Sequence, residues 1–365
     1  MKKILEGVLA VTPDGTDYRD ITIEDGIITD ITKSEKKTDL IAVPGFIDTH
    51  IHGFGGHGTE DCNPDSIIKM SDSLLEFGVT SFFPTIYTDV EEKMKRSIHA
   101  CYLAKGKEKG ADIRGIHIEG PFISPKRIGA QNPLGRKDPS VEYFQKLLDE
   151  APDLVKAMTM APELPGAAEV AQVAKEHGVR CLCGHTNATY EETLAGHRCC
   201  ISHATHLFNA MNGLHHRKPG TVGAVLTSDM TAEIIGDGLH THPAVVKMVV
   251  DMKGPDKIAM ITDSLRPTAQ KEGKLTANDV EVELLNGLWV TKGNPDLIQG
   301  SAATMLMAFQ NCMKWGVSLE DAAKMTSTTP ARLYNLDDVG TLEVGKKAHI
   351  VVLNKDYTIN EVVKG

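Results

Sequence analysis

The chain has 365 residues, of which 41% are hydrophobic, 24% charged and 5% aromatic, a globular composition that excludes a disordered or collagen-like protein. The 39 basic and 49 acidic residues give a net charge of −10, and no segment gathers Lys and Arg into a long stripe. A nucleic-acid-binding groove is therefore not expected.

Three features of the sequence bear on the compartment. No apolar run approaches the roughly 20 residues that a membrane-spanning helix needs. Glu6 interrupts the start of the chain where a signal peptide would continue with apolar residues. The seven cysteines include the adjacent Cys199 and Cys200, a pattern that favours free thiols in a reducing environment. We therefore expect a cytoplasmic protein.

Both chain ends are rich in short, alternating β-like segments. Residues 1–43 contain the stretches Ile21–Ile23 and Gly26–Ile31, separated by the turn signal Asp25-Gly26. Residues 340–365 repeat this style, with a glycine-rich lead into the apolar segment His349–Leu353. We predict that the two ends pair into one small β-sandwich module.

Between them, residues 44–339 alternate apolar strand-like runs with longer amphipathic stretches, which is the pattern of a parallel βα fold. The predicted strands are eight: 45–49, 79–83, 113–118, 155–160, 179–183, 200–205, 232–235 and 257–262. Eight such strands predict an α/β fold of the (β/α)8 barrel type. A doubly wound open sheet is the main alternative, but no G-x-G-x-x-G follows an early strand, which disfavours dinucleotide binding.

Metal-compatible side chains follow five of the predicted strands. They are His50, His52, Glu119, His185, His206 and Asp263. Barrel enzymes build their active sites at this end of the strands, and alternation along a strand places both imidazoles of an H-x-H pair on one face. The H-x-H pair alone is a weak signal. All six residues lie at a similar position relative to the ends of their predicted strands, and this shared position predicts that they form one site.

Imidazole and carboxylate ligands of this kind suit a divalent cation that activates water. A carboxylate can bridge two cations, so Glu119 could join an H-x-H site to a site formed by His185 and His206. Asp263 would then accept the proton of the water and return it to a leaving amine, although it could instead be a further ligand.

Other candidate ligands receive simpler interpretations. His117 shares a face with Glu119 and could support the ligands from behind. Cys181 and Cys183 precede His185 at C-x-C-x-H spacing, but their apolar setting favours inert buried thiols.

Several motifs, taken in order, resemble the amidohydrolase superfamily and, within it, the N-acetylglucosamine-6-phosphate deacetylase family. They are PGFIDTHIHG at 44–53, HIEGPF at 117–122, APE at 161–163, GHTNA at 184–188, THLFNAM at 205–211, DGLH at 237–240 and TDS at 262–264. The resemblance covers nearly the whole chain, and HIEGPF together with THLFNAM is specific.

The resemblance implies a cytoplasmic homodimer that removes acetate from an amino-sugar phosphate. Glu119, His185 and His206 would hold the principal metal, and Asp263 would be the catalytic acid and base. His50 and His52 would add a second site, giving one or two divalent cations per subunit, zinc or iron. The substrate contacts implied by the family are Ala130, Gln131, Asn209, Ala210, Arg217, Asp237, Gly238, Leu239, His240, Ile298, Gln299 and Gly300.

Several residues leave the substrate preference and the role of Arg217 undecided. Gln131 stands where some family members have a histidine, and the continuation Ser264-Leu265-Arg266 is unusual. These changes could favour N-acetylgalactosamine 6-phosphate, which differs at one hydroxyl. Arg217 suits a phosphate by its guanidinium chemistry, in its own subunit or a partner's, or it could lie in a solvated basic loop. An amidohydrolase acting on a cyclic amide and an inactive binding protein are further alternatives.

Overall fold

The computed structural model describes residues 2–365 and contains the predicted barrel. Eight strands, each hydrogen-bonded in parallel to the next, surround its axis. They are β5 (Phe46–Ile51), β8 (Val79–Ile86), β10 (Ile116–Glu119), β11 (Val155–Met160), β12 (Arg180–Cys183), β13 (Ile201–Ala204), β14 (Thr231–Ile235) and β15 (Ile258–Ile261). Every run predicted from the sequence overlaps one of these strands, so the barrel prediction is confirmed.

The barrel closes just beyond the end of its last strand. The Asp263 backbone N–H donates to the His50 carbonyl at 2.9 Å, and that of His52 donates to the Ser264 carbonyl at 2.9 Å. The buried Asp48 carboxylate adds a side-chain link, because the Thr262 hydroxyl donates to it at 2.6 Å. Closure therefore brings the H-x-H segment beside Asp263.

Helices follow most of the barrel strands and cover their outer faces. The helices are α1 (Pro64–Leu75), α2 (Glu91–Ala104), α3 (Val141–Leu148), α4 (Ala167–Glu176), α5 (Tyr190–Arg198), α6 (Gly220–Thr227), α7 (Pro243–Lys253), α8 (Met305–Lys314), α9 (Leu319–Ala323) and α10 (Thr329–Leu333). Their buried faces share one large apolar core with the strands. None of the described helices is long and apolar enough to cross a membrane.

The two chain ends share one β module, as predicted. Its strands are β1 (Lys2–Thr12), β2 (Gly15–Glu24), β3 (Ile27–Lys33), β4 (Ile41–Pro44), β20 (Ile350–Leu353) and β21 (Ile359–Val363). Hydrogen bonds join them in one continuous order, β21-β20-β4-β1-β2-β3, with only the β1–β4 pair parallel. The six strands are paired without a break, so this pairing does not divide them into the two layers of a sandwich. The division at residues 43/44 and 339/340 stays a prediction.

A four-stranded antiparallel sheet follows the last barrel strand, and the sequence interpretation did not include it. It consists of β16 (Thr276–Ala277), β17 (Val280–Leu285), β18 (Leu288–Thr291) and β19 (Asn294–Ser301). Two-residue strands complete the set: β6 (Gly53–Phe54) pairs with β7 (His57–Gly58), and β9 (Asp112–Ile113) pairs with β8. The end of β19 reaches the barrel mouth, where the Ser301 N–H donates to the Asp263 carbonyl at 3.0 Å.

The cysteines match the prediction of free thiols, since all seven are unpaired in the described chain. Cys181 and Cys183 are fully buried in β12, and burial raises the pKa of the Cys181 thiol to about 12. Inert core thiols are therefore the better description of this C-x-C pair.

Candidate metal centre and active site

The six predicted side chains meet at the carboxyl ends of the barrel strands. His50 lies in β5, His52 directly after it, Glu119 ends β10, and His185, His206 and Asp263 follow β12, β13 and β15. In three sets of three residues the possible ligand atoms lie within 4.8 Å of one another, and two of these sets consist of predicted residues only: Glu119, His185 and His206, and His50, His52 and Glu119. The third set is His50, His117 and Glu233. Glu119 belongs to both sets of predicted residues.

The Glu119 carboxylate is the centre of this arrangement. Its Oε1 lies 3.0 Å from Nε2 of His185 and 3.0 Å from Nε2 of His206. Its Oε2 lies 3.0 Å from Nε2 of His52. Asp263 completes the cluster, because its Oδ1 is 3.4 Å from His52 Nε2 and 3.6 Å from His50 Nε2.

Three of these residues have a left-handed backbone conformation. His185, His206 and Asp263 each lie two residues past a strand, with φ angles of 46°, 27° and 50°. Residues other than glycine seldom adopt this backbone conformation because it is strained. Strained residues of this kind cluster at functional sites. The turn allows each side chain to point over the barrel mouth while the chain leaves toward the next helix.

Hydrogen bonds fix which nitrogen of each imidazole faces the cluster. The Nδ1–H of His185 donates to the Arg127 carbonyl at 2.9 Å, and that of His52 donates to the Thr85 carbonyl at 3.1 Å. When the ring is neutral, Nε2 then carries a lone pair that a cation can accept, and when the ring is protonated, Nε2–H donates to Glu119 at 3.0 Å. His50 Nε2 is also buried without a hydrogen-bond partner. The donor set therefore fits a divalent cation.

Charge within the cluster favours ionised carboxylates. Burial opposes ionisation of Glu119, but the His50 charge and hydrogen bonds from His185 and His206 outweigh it and hold the pKa of Glu119 well below its ordinary value. For Asp263 the same opposition from burial is outweighed by His50 and His52, so its pKa is also lowered. Both groups are thus anionic at neutral pH, as cation ligands and proton acceptors must be.

A further carboxylate, Glu233, lies beneath the cluster and was missed in the sequence. It is fully buried in β14, and its Oε2 accepts the Nδ1–H of His50 at 3.0 Å. His117, suspected as a supporting residue, contacts the Thr49 carbonyl through Nδ1 at 3.2 Å and the Thr159 hydroxyl through Nε2 at 2.8 Å. Glu233 therefore supports the proposed ligand His50 through a hydrogen bond, whereas His117 packs edge-on against the His50 ring with centroids 4.6 Å apart. An acidic residue inside an apolar strand was the available signal for Glu233.

The end of β8 supplies a second set of supporting contacts. The Tyr87 ring stacks on the His52 ring with centroids 3.7 Å apart, and burial raises the pKa of its hydroxyl. The Thr88 N–H donates to Gln131 Oε1 at 2.7 Å, and Gln131 Nε2 donates to Glu119 Oε2 at 2.6 Å. Gln131 therefore acts on a proposed ligand, in addition to any contact with substrate.

A cavity of about 290 Å³ opens above the cluster. Of the predicted substrate residues, those that line it are Ala130, Gln131, Asn209, Ala210, His240, Ile298, Gln299 and Gly300. Asp296 and Leu297, which the sequence interpretation did not include, also line it. A larger cavity of about 730 Å³ lies beside the loop at 54–57, and none of the six clustered residues borders it.

Four predicted substrate residues lie outside this lining: Arg217, Asp237, Gly238 and Leu239. Arg217 is exposed on its loop and contacts His216. Asp237 instead orients His240, because its Oδ2 accepts the His240 Nδ1–H at 2.6 Å. Burial alone would lower the pKa of His240, but the bond to Asp237 and its charge outweigh this effect and raise that pKa.

Comparison with known proteins agrees with this geometry. The amidohydrolase family model matches residues 41–365. The N-acetylglucosamine-6-phosphate deacetylase of Bacillus subtilis is 33% identical, covering 93% of this chain and 89% of its own length. The N-acetylgalactosamine-6-phosphate deacetylase of Escherichia coli O157:H7 is 30% identical, covering 99% and 98%.

Solved structures give the same result over the complete fold. An N-acetyl-D-glucosamine-6-phosphate deacetylase variant from Mycobacterium smegmatis, in complex with N-acetyl-D-glucosamine-6-phosphate, matches with a TM-score of 0.92 and 27% identity over 100% of both chains. The enzyme from Thermotoga maritima matches with a TM-score of 0.90 and 31% identity, again over 100% of both chains. The chain belongs to the amidohydrolase family, and its full-length relatives are amino-sugar-phosphate deacetylases.

Proposed function

We propose that this enzyme hydrolyses the acetamide of N-acetyl-D-glucosamine 6-phosphate, giving D-glucosamine 6-phosphate and acetate. The observation that carries the proposal is the meeting of Glu119, His185 and His206 below a cavity in a chain whose relatives catalyse this class of reaction. These three residues would hold the principal cation, and His50 and His52 would provide a second position next to it.

A bound zinc or iron ion lowers the pKa of water toward about 7 and polarises a carbonyl group. Asp263 lies beside the proposed ligands with an anionic carboxylate, so it accepts a proton from the attacking water and donates it to the leaving amine. His240 borders the same cavity, and its Nε2–H can donate to the carbonyl oxygen as negative charge develops there. Asp237 supports that role by holding the protonated ring.

A cationic group from outside the cavity lining would strengthen recognition of the phosphate. The lining residues include His240 but neither Lys nor Arg among the described residues. We therefore propose a cytoplasmic homodimer in which the exposed loop carrying Arg217 reaches the cavity of the partner subunit. A guanidinium placed there would bind phosphate oxygens in a bidentate manner.

N-acetylgalactosamine 6-phosphate is the second candidate substrate. The Escherichia coli relative with that name aligns over 99% of this chain at 30% identity, close to the 33% of the Bacillus subtilis relative. The two sugars share the acetamide and the phosphate, so the same proposed residues would act on both.

The test incubates the purified protein with both phosphorylated sugars and with unphosphorylated N-acetylglucosamine, with and without a chelator, and measures acetate release. We expect the highest kcat/KM for N-acetylglucosamine 6-phosphate and loss of activity with the chelator. Equal rates on the unphosphorylated sugar would contradict the phosphate assignment. Hydrolysis that is insensitive to complete metal removal would contradict the metal assignment.

A further inference from the structure

The two imidazoles of the H-x-H pair are held in different ways. His50 donates its Nδ1–H to the buried Glu233 carboxylate at 3.0 Å, and the His117 ring meets it edge-on with centroids 4.6 Å apart. His52 donates its Nδ1–H to a neutral backbone carbonyl, that of Thr85, at 3.1 Å. An anionic acceptor raises the basicity of a ligand imidazole more than a carbonyl does. His52 is thus the more weakly supported ring of the pair.

The carbonyl that holds His52 is also shared. Thr85 O accepts the Thr59 hydroxyl at 2.7 Å as well as the His52 Nδ1–H. One hydrogen bond to a shared acceptor, together with the Cβ attachment, leaves the plane of the imidazole some freedom to tilt. A contact on the face of the ring restricts that tilt and keeps Nε2 directed at Glu119 and Asp263, which lie 3.0 Å and 3.4 Å away.

Tyr87 provides that contact. Its ring lies over the His52 ring at a centroid separation of 3.7 Å and an interplanar angle of 15°. Tyr87 is only 5% exposed and His52 2% exposed, so both stacked rings are largely buried at the edge of the cavity. Its hydroxyl is buried and has no hydrogen-bond partner among the described residues. The aromatic face, rather than the hydroxyl, therefore contacts the ligand-bearing ring.

We propose that Tyr87 is a positioning residue that fixes the plane of His52 and thereby controls how firmly a cation is retained at the His50/His52 position. The inference rests on the metal site of the proposed function, but it concerns the second position only. The position formed by Glu119, His185 and His206 has its own supports, including the Arg127 carbonyl on His185.

The test compares Tyr87→Phe, which keeps the stacked ring, with Tyr87→Leu, which removes it. Tyr143 in α3 offers a matched control, because it is 7% exposed, has an unpartnered buried hydroxyl and lies outside the cavity. Tyr143→Phe and Tyr143→Leu therefore report the cost of the same changes away from the site. Each protein is loaded with excess zinc, and metal content and release rates are measured after addition of a chelator.

We expect wild type to release two cations in two phases, with Tyr87→Phe within twofold of wild type in both. Tyr87→Leu should release one cation about tenfold faster or more, which is the scale of changes to groups that orient metal ligands, while the other phase is unchanged. The Tyr143 variants should match wild type. Unchanged release from Tyr87→Leu, equal acceleration of both phases, or identical behaviour of Tyr87→Phe and Tyr87→Leu would each overturn the proposal.

Parallel assays of wild type separate this inference from the proposed function. An enzyme that retains two cations but does not hydrolyse N-acetylglucosamine 6-phosphate would contradict the function and leave the role of Tyr87 open to the release measurement. An active enzyme that binds one cation per chain would contradict the inference and leave the function intact.

Discussion

The proposed ligands at the barrel mouth illustrate what single residues reveal in a sequence. His50 and His52 were predictable because side chains alternate along a strand, and His185, His206 and Asp263 because polar groups ended apolar runs. Their left-handed backbone angles were not predictable, since none of them is a glycine. Glu233 was missed because it lies within the run 232–235 rather than after it, and only the structure shows its bond to His50.

Replacing Asp263 with Asn tests the proposed proton transfer. An amide cannot accept the proton of the water, so kcat should fall by at least about 100-fold, the lower end of general acid–base contributions. Because Asp263 is not among the three residues proposed to hold the principal cation, metal content should stay near that of wild type. Both quantities are measured on the same preparation, and near-normal turnover would remove Asp263 from the role.

Glu60 provides a pH-dependent prediction at the residue scale. Burial raises the pKa of its carboxyl from 4.5 to about 7, so the folded protein binds a proton that the unfolded chain releases between these values. The contribution of Glu60 to stability is therefore lost as pH rises from about 4.5 to 7. Glu60→Gln cannot ionise, and its Oε1 can still accept the Asn278 N–H.

The free energy of unfolding of Glu60→Gln should consequently rise relative to wild type between pH 5 and pH 8, by at most about 3 kcal/mol. Urea unfolding at the two pH values measures this difference. Glu272→Gln, on an exposed loop, controls for removal of one charge. A difference from wild type that is the same at both pH values would show that Glu60 ionises normally.

At the scale of secondary structure, the pattern of apolar residues predicted the barrel strands well because each strand is largely buried and contains apolar residues. The four-stranded sheet was missed although a signal was present: Asn286-Gly287 separates β17 from β18, and this dipeptide is a strong hairpin turn signal. The position of this sheet could not have been inferred from the sequence. The contact between β19 and the segment around Asp263 joins residues that are distant in the chain and share no local sequence pattern.

Gly300 tests the packing of β19 against the active site. A Cβ atom there would lie 2.7 Å from Leu265 Cδ2 and 3.0 Å from the Asp263 carbonyl oxygen. Gly300→Ala should therefore displace either β19 or the backbone of Asp263, and kcat/KM should fall about 10- to 100-fold, since small misplacements are costly in catalysis. Steady-state kinetics measures the effect. Gly293→Ala, in the turn between β18 and β19, controls for the backbone strain of alanine, because Gly293 has a φ of 78° but a Cβ there meets no atom within 4 Å.

For the whole molecule, the sequence predicted a barrel flanked by a module from both chain ends, and the pairing of β4 with β20 confirms that the ends meet. The resemblance to amidohydrolases depended on motifs spread over nearly the entire chain, and the family match from 41 to 365 confirms it. The partner contact of Arg217 remains a prediction, because a single chain contains no information about a second subunit's cavity.

Metal removal should destabilise the entire fold. The described cluster places two carboxylates and four imidazoles together with little exposure, and a cation that binds only the folded state adds its binding free energy to stability. Chelator-treated protein should therefore unfold at a temperature several degrees lower than the zinc-loaded protein, and zinc should restore it. Calorimetry measures this, and equal unfolding temperatures with confirmed zinc loading would contradict a cation buried in the folded core.

The most direct test of the central claim is anomalous X-ray diffraction from crystals of the active enzyme, recorded at the absorption edge of the metal found in solution. We expect a peak within bonding distance of Glu119 Oε1 and of Nε2 of both His185 and His206. Fully active crystals with no anomalous peak at these three atoms would contradict the account.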